Sequence, residues 1–198
     1  VIVAHGIEIW KKHEGYKRKA LEQADMILSV SNFTKDQIVS NNPTVEAGKI
    51  KIFPNTIDPY FKLPAGFDKP QYLIDRYQLQ NGTKVLLTVT RLSSSEKYKG
   101  YDNIIEVMDE LVDNDKNIKY LICGKADEDE RKRVQSLIAL RREKNMVQLL
   151  GFVPDAELID HYLLADIFVM QSKKEGFGIV FIEALACGRK VIAGSKDG

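Results

Sequence analysis

Residues 146–194 read MVQLLGFVPDAELIDHYLLADIFVMQSKKEGFGIVFIEALACGRKVIAG. Apolar runs at 146–150, 167–171 and 190–194 alternate with amphipathic stretches of helical length at 155–164 and 178–187. Strand-like runs separated by helix-length spacers point to parallel strands, because a parallel pair needs a crossover long enough to hold a helix. The alternation continues toward the amino terminus. It predicts strands at 1–4, 26–31, 50–54, 84–90 and 118–123, and helices near 9–23, 33–40, 101–114 and 127–144. End signals agree: Ser31-Asn32 precedes the second helix, Asp102 and Asp155 lie in first turns, and Gly188 follows the last helix. The expected class is α/β, with parallel sheets and crossover helices.

The 198 residues carry 29 Lys and Arg against 28 Asp and Glu, a net charge of +1, so no global field draws the protein to nucleic acid. Any bound anion must be held by a local arrangement. No apolar run is long enough to span a bilayer, and the opening VIVAHGIEIW has neither a basic leader nor a cleavage site, so the expected location is the cytoplasm. Cys123 and Cys187 form no disulfide or metal pattern and read as small buried hydrophobes. Lacking an initiator Met and starting and stopping beside strands, the chain reads as a piece of a longer protein.

Residues 55–82 hold three of the six prolines, two glycines and an Asn-Gly, with one short helix candidate at 70–77, which marks a domain boundary. Residues 1–58 would be the carboxyl-terminal part of one domain, 59–82 a linker, and 83–198 most of a second domain. The mixed charges of 127–144 cover a solvated helix face.

Open α/β sheets bind ligands beyond the carboxyl ends of their strands. That rule selects Arg91 to Lys99, Gly124-Lys125, Gly151 to Val153 and Ser172 to Gly178, with His5-Gly6 and Ser31-Asn32 from the first part of the chain. The EGFG entering the last helix lets backbone approach a ligand, while first-turn N–H groups favour an anion. Arg91, Lys97 and Lys99 on the loop after the fourth strand supply cations for a diphosphate. Glu183 is flanked by Phe181, Ile182, Ala184, Leu185 and Ala186, so its carboxylate needs a hydrogen-bonding partner. His13 and His161 fall in amphipathic helices and read as packing or surface residues, whereas His5 follows a strand beside a glycine. No GxGxxG, GxxxxGK[ST], HExxH or GxSxG occurs, so dehydrogenase, P-loop, zinc protease and serine hydrolase chemistries lack their signatures.

The tract EGFGIVFIEALACGRKVIAG resembles the signature of retaining, nucleotide-sugar-dependent glycosyltransferases of the two-domain GT-B fold, family 4 (glycosyl transferases group 1), with Glu175 and Glu183 at the E-x7-E spacing. ADMILSVSNFTKDQI, KIKIFPNTIDPYF, TRLSSSEKYKGYDNII, YLICGK and LLGFVPDAELIDHYLLADIFVMQS follow in that family's order, so the resemblance covers nearly the whole chain. It implies two Rossmann-like domains, the second nearly complete here and the first partial. The implied reaction moves a sugar from a nucleoside diphosphate to an acceptor hydroxyl with retention, as in polysaccharide or glycolipid synthesis. The donor is a substrate, and no cofactor or metal is called for.

By the same resemblance, Glu183 accepts hydrogen bonds from ribose hydroxyls, and Glu175 lies near the donor sugar with Gly176, Phe177 and Gly178. Ile179 and Val180 offer N–H groups to the phosphates. Arg91 and Lys99 bind the diphosphate, with Lys97 a rival to Lys99 because the loop is longer than usual. Gly124 belongs to the donor side, Gly151, Phe152 and Val153 line the base, and His5 faces the sugar and the acceptor. NTID stands where NGID is usual, and MQS stands for PS. A saccharide or lipid-linked acceptor, no nucleic acid, and a seat at the inner face of a membrane are further implications. A sugar-nucleotide epimerase and a non-catalytic nucleotide-sugar-binding module are the alternative readings.

Overall fold

The computed structural model describes residues 1–195. It separates into two compact units, Val1–Ile57 with Lys173–Ile179, and Asp58–Ser172 with Val180–Gly194.

In the first unit β1 (Ile2–Ala4), β2 (Ile27–Ser29) and β3 (Ile50–Ile52) pair in parallel, in that order. The crossovers contain α1 (Gly15–Gln23) and α2 (Asn32–Asn41). Ile9, Leu21, Ile27, Ile38 and Ile50 form its core. Ser31 caps α2, its Oγ accepting from Thr34 N at 3.1 Å. The helix expected from residue 9 begins only at Gly15. Asn42 captures the preceding segment: its Oδ1 accepts from His13 N at 2.9 Å, and its Nδ2 donates to Lys11 O at 3.1 Å. That satisfies the backbone outside a helix.

The second unit is built on a five-stranded parallel sheet in the order β6-β5-β4-β7-β8. Its strands are β4 (Lys84–Val89), β5 (Ile118–Cys123), β6 (Val147–Gly151), β7 (Ile167–Met170) and β8 (Lys190–Ala193). Side chains alternate between two cores, as the pleat requires. Val85, Leu87, Leu121 and Cys123 pack with α3 (Gln71–Arg76), α6 (Asp155–Leu164) and α7 (Ile179–Ala186) through Leu73, Tyr162, Leu164 and Ala184. Leu86, Tyr120 and Ile122 pack on the other side with α4 (Tyr101–Asn114) and α5 (Glu128–Ala139) through Ile105, Met108 and Val134. Helices on both faces make a doubly wound sandwich.

Residues 59–82, expected as a linker, lie within this unit: α3 buries Leu73 completely, and Lys69 Nζ meets Asp166 Oδ2 at 2.6 Å. Helix α5 ends at Ala139 rather than 144. Beyond it the chain is drawn back onto α4, where Arg142 N donates to Asp109 Oδ1 at 3.0 Å and Arg141 Nη1 to Glu106 O at 3.0 Å. No helix among the described residues is long and apolar enough to cross a membrane.

Candidate functional site

The strand order reverses between β4 and β7, so the loops leaving their carboxyl ends flank the crevice where ligands bind in such sheets. The loop after β4 is tied down first. Thr90 N donates to Cys123 O at 3.0 Å, Leu92 N to Lys125 O at 3.0 Å, and Gly124 N to Gly151 O at 2.8 Å, which joins the loops after β4, β5 and β6. Asp127 adds a double clamp: Oδ1 accepts from Glu130 N to cap α5, and Oδ2 accepts from Ser94 N, both at 2.8 Å. Those two N–H groups hold its carboxyl below the usual range.

Arg91 lies on this loop, its side chain 70% exposed, and pairs with Glu96, whose side chain is only 17% exposed. Nε donates to Glu96 Oε2 at 3.2 Å, and Nη2 contacts Oε1. Glu96 thereby takes one edge of the guanidinium and leaves the Nη1 side for another anion. Lys97 is exposed, and Lys99, half-buried, sits with Nζ 5.7 Å from the centre of the Tyr98 ring.

Gly100 closes the loop and starts α4 with φ +76°, a left-handed backbone. A Cβ there would lie 2.2 Å from Gln171 O, so the turn seats directly on the loop after β7. Beneath it Tyr101 Oη donates to Glu130 Oε1 at 2.5 Å, Arg133 Nη2 reaches the same oxygen at 2.6 Å, and Arg133 meets Asp102 at 3.2 Å. Burial raises the pKa of fully buried Glu130, but the Arg133 and Tyr101 hydrogen bonds outweigh it and hold it below the usual glutamate range. This network fixes α4 against α5 directly under Lys99-Gly100.

Glu183, on α7, has a protein partner. Tyr162 Oη, on α6, donates to its Oε2 at 2.7 Å, and Tyr162 is fully buried. Glu183 lines a cleft of about 600 Å³ with Tyr60, Phe61, Lys62, Leu158 and Ile159. Phe152, 70% exposed, and Val153 lead from Gly151 into α6 and line a separate hollow that also includes His161. That histidine is structural. Its Nδ1 must donate to Glu157 O at 2.7 Å, which leaves Nε2 to accept from Tyr77 Oη at 2.7 Å.

In the first unit, the turn after β1 wraps a carboxylate: His5 N and Gly6 N donate to Glu8 Oε1 at 2.6 and 3.0 Å. Gly176 lies against that turn, where a Cβ would come within 2.2 Å of His5 O. Glu175 and the backbone of Gly176 are therefore held beside His5. Phe177 is half-buried, Gly178 buried, and Ile179, at the first position of α7, exposed; Val180, in the second unit, is half-buried.

Sequence reasoning singled out the cations and both glutamates as candidates, but not their neighbours Tyr162, Glu96, Glu8 or Glu130. Each acts through packing across elements or within a turn, which residue spacing does not disclose.

A doubly wound parallel sheet with Arg91 beside its switch point and a cleft lined by Glu183 is an α/β ligand-binding arrangement. The chain belongs to the glycosyl transferases group 1, whose sequence profile matches residues 71–198. It is 30% identical over 173 residues to an uncharacterized glycosyltransferase, MJ1607, of Methanocaldococcus jannaschii, covering 87% of this chain and 43% of that one. It is 28% identical over 152 residues to the alpha-monoglucosyldiacylglycerol synthase of Acholeplasma laidlawii, covering 76% and 37%. Among solved structures, a glycosyltransferase from Rickettsia africae superposes with TM-score 0.77 at 24% identity, over 96% of this chain and 50% of that one. Anabaena Alr3699/HepE, in complex with UDP and glucose, superposes with TM-score 0.79 at 21% identity, over 99% and 53%. The fold is that of the GT-B glycosyltransferases, and the chain spans about half or less of the length of these relatives.

Proposed function

We propose that this chain carries the donor-binding part of an enzyme that moves a sugar from a nucleoside-diphosphate sugar to an acceptor hydroxyl, with retention of anomeric configuration. The observation that carries the reading is the placement of Arg91 and Lys99 on the loop at the carboxyl end of β4, with Glu183 on a helix of the same unit and lining a cleft. In this reading Glu183 accepts the ribose hydroxyls, while Gly151, Phe152 and Val153 flank the base and Gly124 the donor side. Arg91 and Lys99, aided by the first-turn N–H groups of Ile179 and Val180, take up the negative charge that develops on the departing diphosphate. Lys99 is preferred to Lys97 because it is the more buried and directly precedes the Gly100 turn.

Glu175, with Gly176, Phe177 and Gly178, faces the donor sugar and offsets its developing positive charge, and His5 serves the sugar and the acceptor. These protein cations supply the countercharge, so the reading requires no divalent metal. The acceptor is a saccharide or a lipid-linked sugar, which agrees with the named product of the Acholeplasma relative, a diacylglycerol glycolipid. A cytoplasmic enzyme working at the inner face of a membrane fits such an acceptor.

The test incubates the intact protein with UDP-, GDP- and ADP-sugars, EDTA and saccharide or lipid acceptors, and assigns the product linkage by NMR. Acceptor-dependent release of nucleoside diphosphate with a retained anomeric centre supports the reading. An inverted product, or a donor converted to its epimer without acceptor, overturns it.

A further inference from the structure

We infer that Tyr162 is a positioning residue for the nucleotide: its single hydrogen bond fixes the Glu183 carboxylate in the orientation that accepts the ribose hydroxyls. The inference rests on the reading of Glu183 as the ribose acceptor. A glutamate side chain has a broad terminal torsion, and an unheld carboxylate presents its lone pairs in many directions. At Glu183 one contact removes that freedom. Oε2 accepts from Tyr162 Oη at 2.7 Å, and among the described residues no other hydrogen bond or ion pair reaches this carboxylate.

The donor is itself immobile. Tyr162 is fully buried, its ring lies 5.8 Å from that of Phe168, and Phe168 meets the Phe181 ring of α7 edge-on at 5.6 Å. The hydroxyl thus reaches Glu183 from an aromatic stack that spans α6, β7 and α7. Burial, together with the neighbouring Glu183 charge, keeps the phenol protonated far above its ordinary range, so it always donates. A carboxylate offers about four lone-pair sites. Tyr162 uses one on Oε2, and the rest remain for a vicinal diol in the cleft that Glu183 lines.

A tyrosine that merely satisfied its own hydroxyl would contribute to folding without affecting how the protein distinguishes ribose from deoxyribose. That distinction is therefore the readout. The intact protein is titrated calorimetrically with UDP, GDP and ADP, and the nucleotide that binds is compared with its 2′-deoxy and 3′-deoxy forms, in wild type, Tyr162→Phe, Glu183→Gln and the double variant. A ratio of Kd values does not depend on the folded fraction, and Tyr162→Met serves if the phenylalanine variant does not fold.

The wild type is expected to prefer a ribose by about tenfold or more over at least one deoxy form, the range of a charge-assisted hydrogen bond. Tyr162→Phe should cut that preference to about threefold or less, and the double variant should match Glu183→Gln alone, because both act through one carboxylate. An unchanged preference in Tyr162→Phe, with loss in Glu183→Gln, overturns the positioning role and leaves the ribose reading standing. An unchanged preference in Glu183→Gln overturns the ribose reading and this inference with it.

Discussion

Tyr162 Oη lies 2.7 Å from Glu183 Oε2, so the one glutamate in the apolar run of α7 is held by a buried phenol from α6. Its environment explains how a carboxylate is tolerated there: one oxygen is hydrogen-bonded, and the residue is only half-buried and lines a cleft. Replacing Glu183 with Ala should cost about 1–3 kcal/mol of stability, through the buried Tyr162 hydroxyl left without its acceptor, and weaken nucleoside diphosphate binding by about 1–3 kcal/mol, through ribose hydroxyls left without theirs. Calorimetry beside a thermal unfolding scan separates the two effects. Normal binding by the variant would remove the ribose role.

Arg91 and Lys99 are expected to act mainly on the transition state, where charge on the diphosphate is greatest. Arg91→Ala with Lys99→Ala should lower kcat by about 100-fold or more while the donor KM changes by less than about tenfold. A proportionate loss of affinity instead would mean that the two cations bind ground state and transition state alike. Arg91 is itself largely exposed, so breaking its pair with Glu96 should cost stability about 1 kcal/mol, and an unfolding scan separates that from the kinetic change.

The turn at Gly100 is a structural requirement with a functional consequence. An alanine there would place Cβ 2.2 Å from Gln171 O and hold a non-glycine residue at φ +76°. The expected loss is about 2–4 kcal/mol in urea unfolding, from strain and from displaced backbone. Because Lys99 precedes this turn, kcat should fall with it, with a smaller change in donor KM. A fully stable Gly100→Ala protein would show that the two loops move apart freely.

His161 sets a pH dependence. Burial lowers its pKa below the ordinary histidine value, so the folded protein resists protonating it. Its contribution to stability is complete above the unfolded value of about 6.5 and is lost as pH falls below that toward the lower folded value. Urea midpoints should decline between pH 7.5 and about 5.5, and His161→Gln should flatten that decline. Asp127 and Glu157, held low by hydrogen bonds, lose their contributions only at more acid pH.

Much of this architecture is legible in the residues. Among the described residues the eight strands follow from apolar runs with helical spacers, most clearly β4, β5 and β7, which are buried on both faces. Helix ends are less legible, since tertiary bonds decide them: Asn42 holds His13 out of α1, and Asp109 turns the chain after α5. Residues 59–82 look like a linker by their prolines and glycines, yet Leu73 shows that a short helix with one deeply buried side chain suffices to join a core. In the candidate site, Arg91 and Glu183 stand out by position and by residue type. Their partners do not. Tyr162 is 21 residues from Glu183, and only the packing of α6 against α7 brings the pair together.

The most direct measurement of the central claim is calorimetric titration of the folded, intact protein with UDP, GDP and ADP in the presence of EDTA. The account predicts saturable one-to-one binding of at least one nucleotide, weakened by Glu183→Ala. Absence of binding by all three would contradict it.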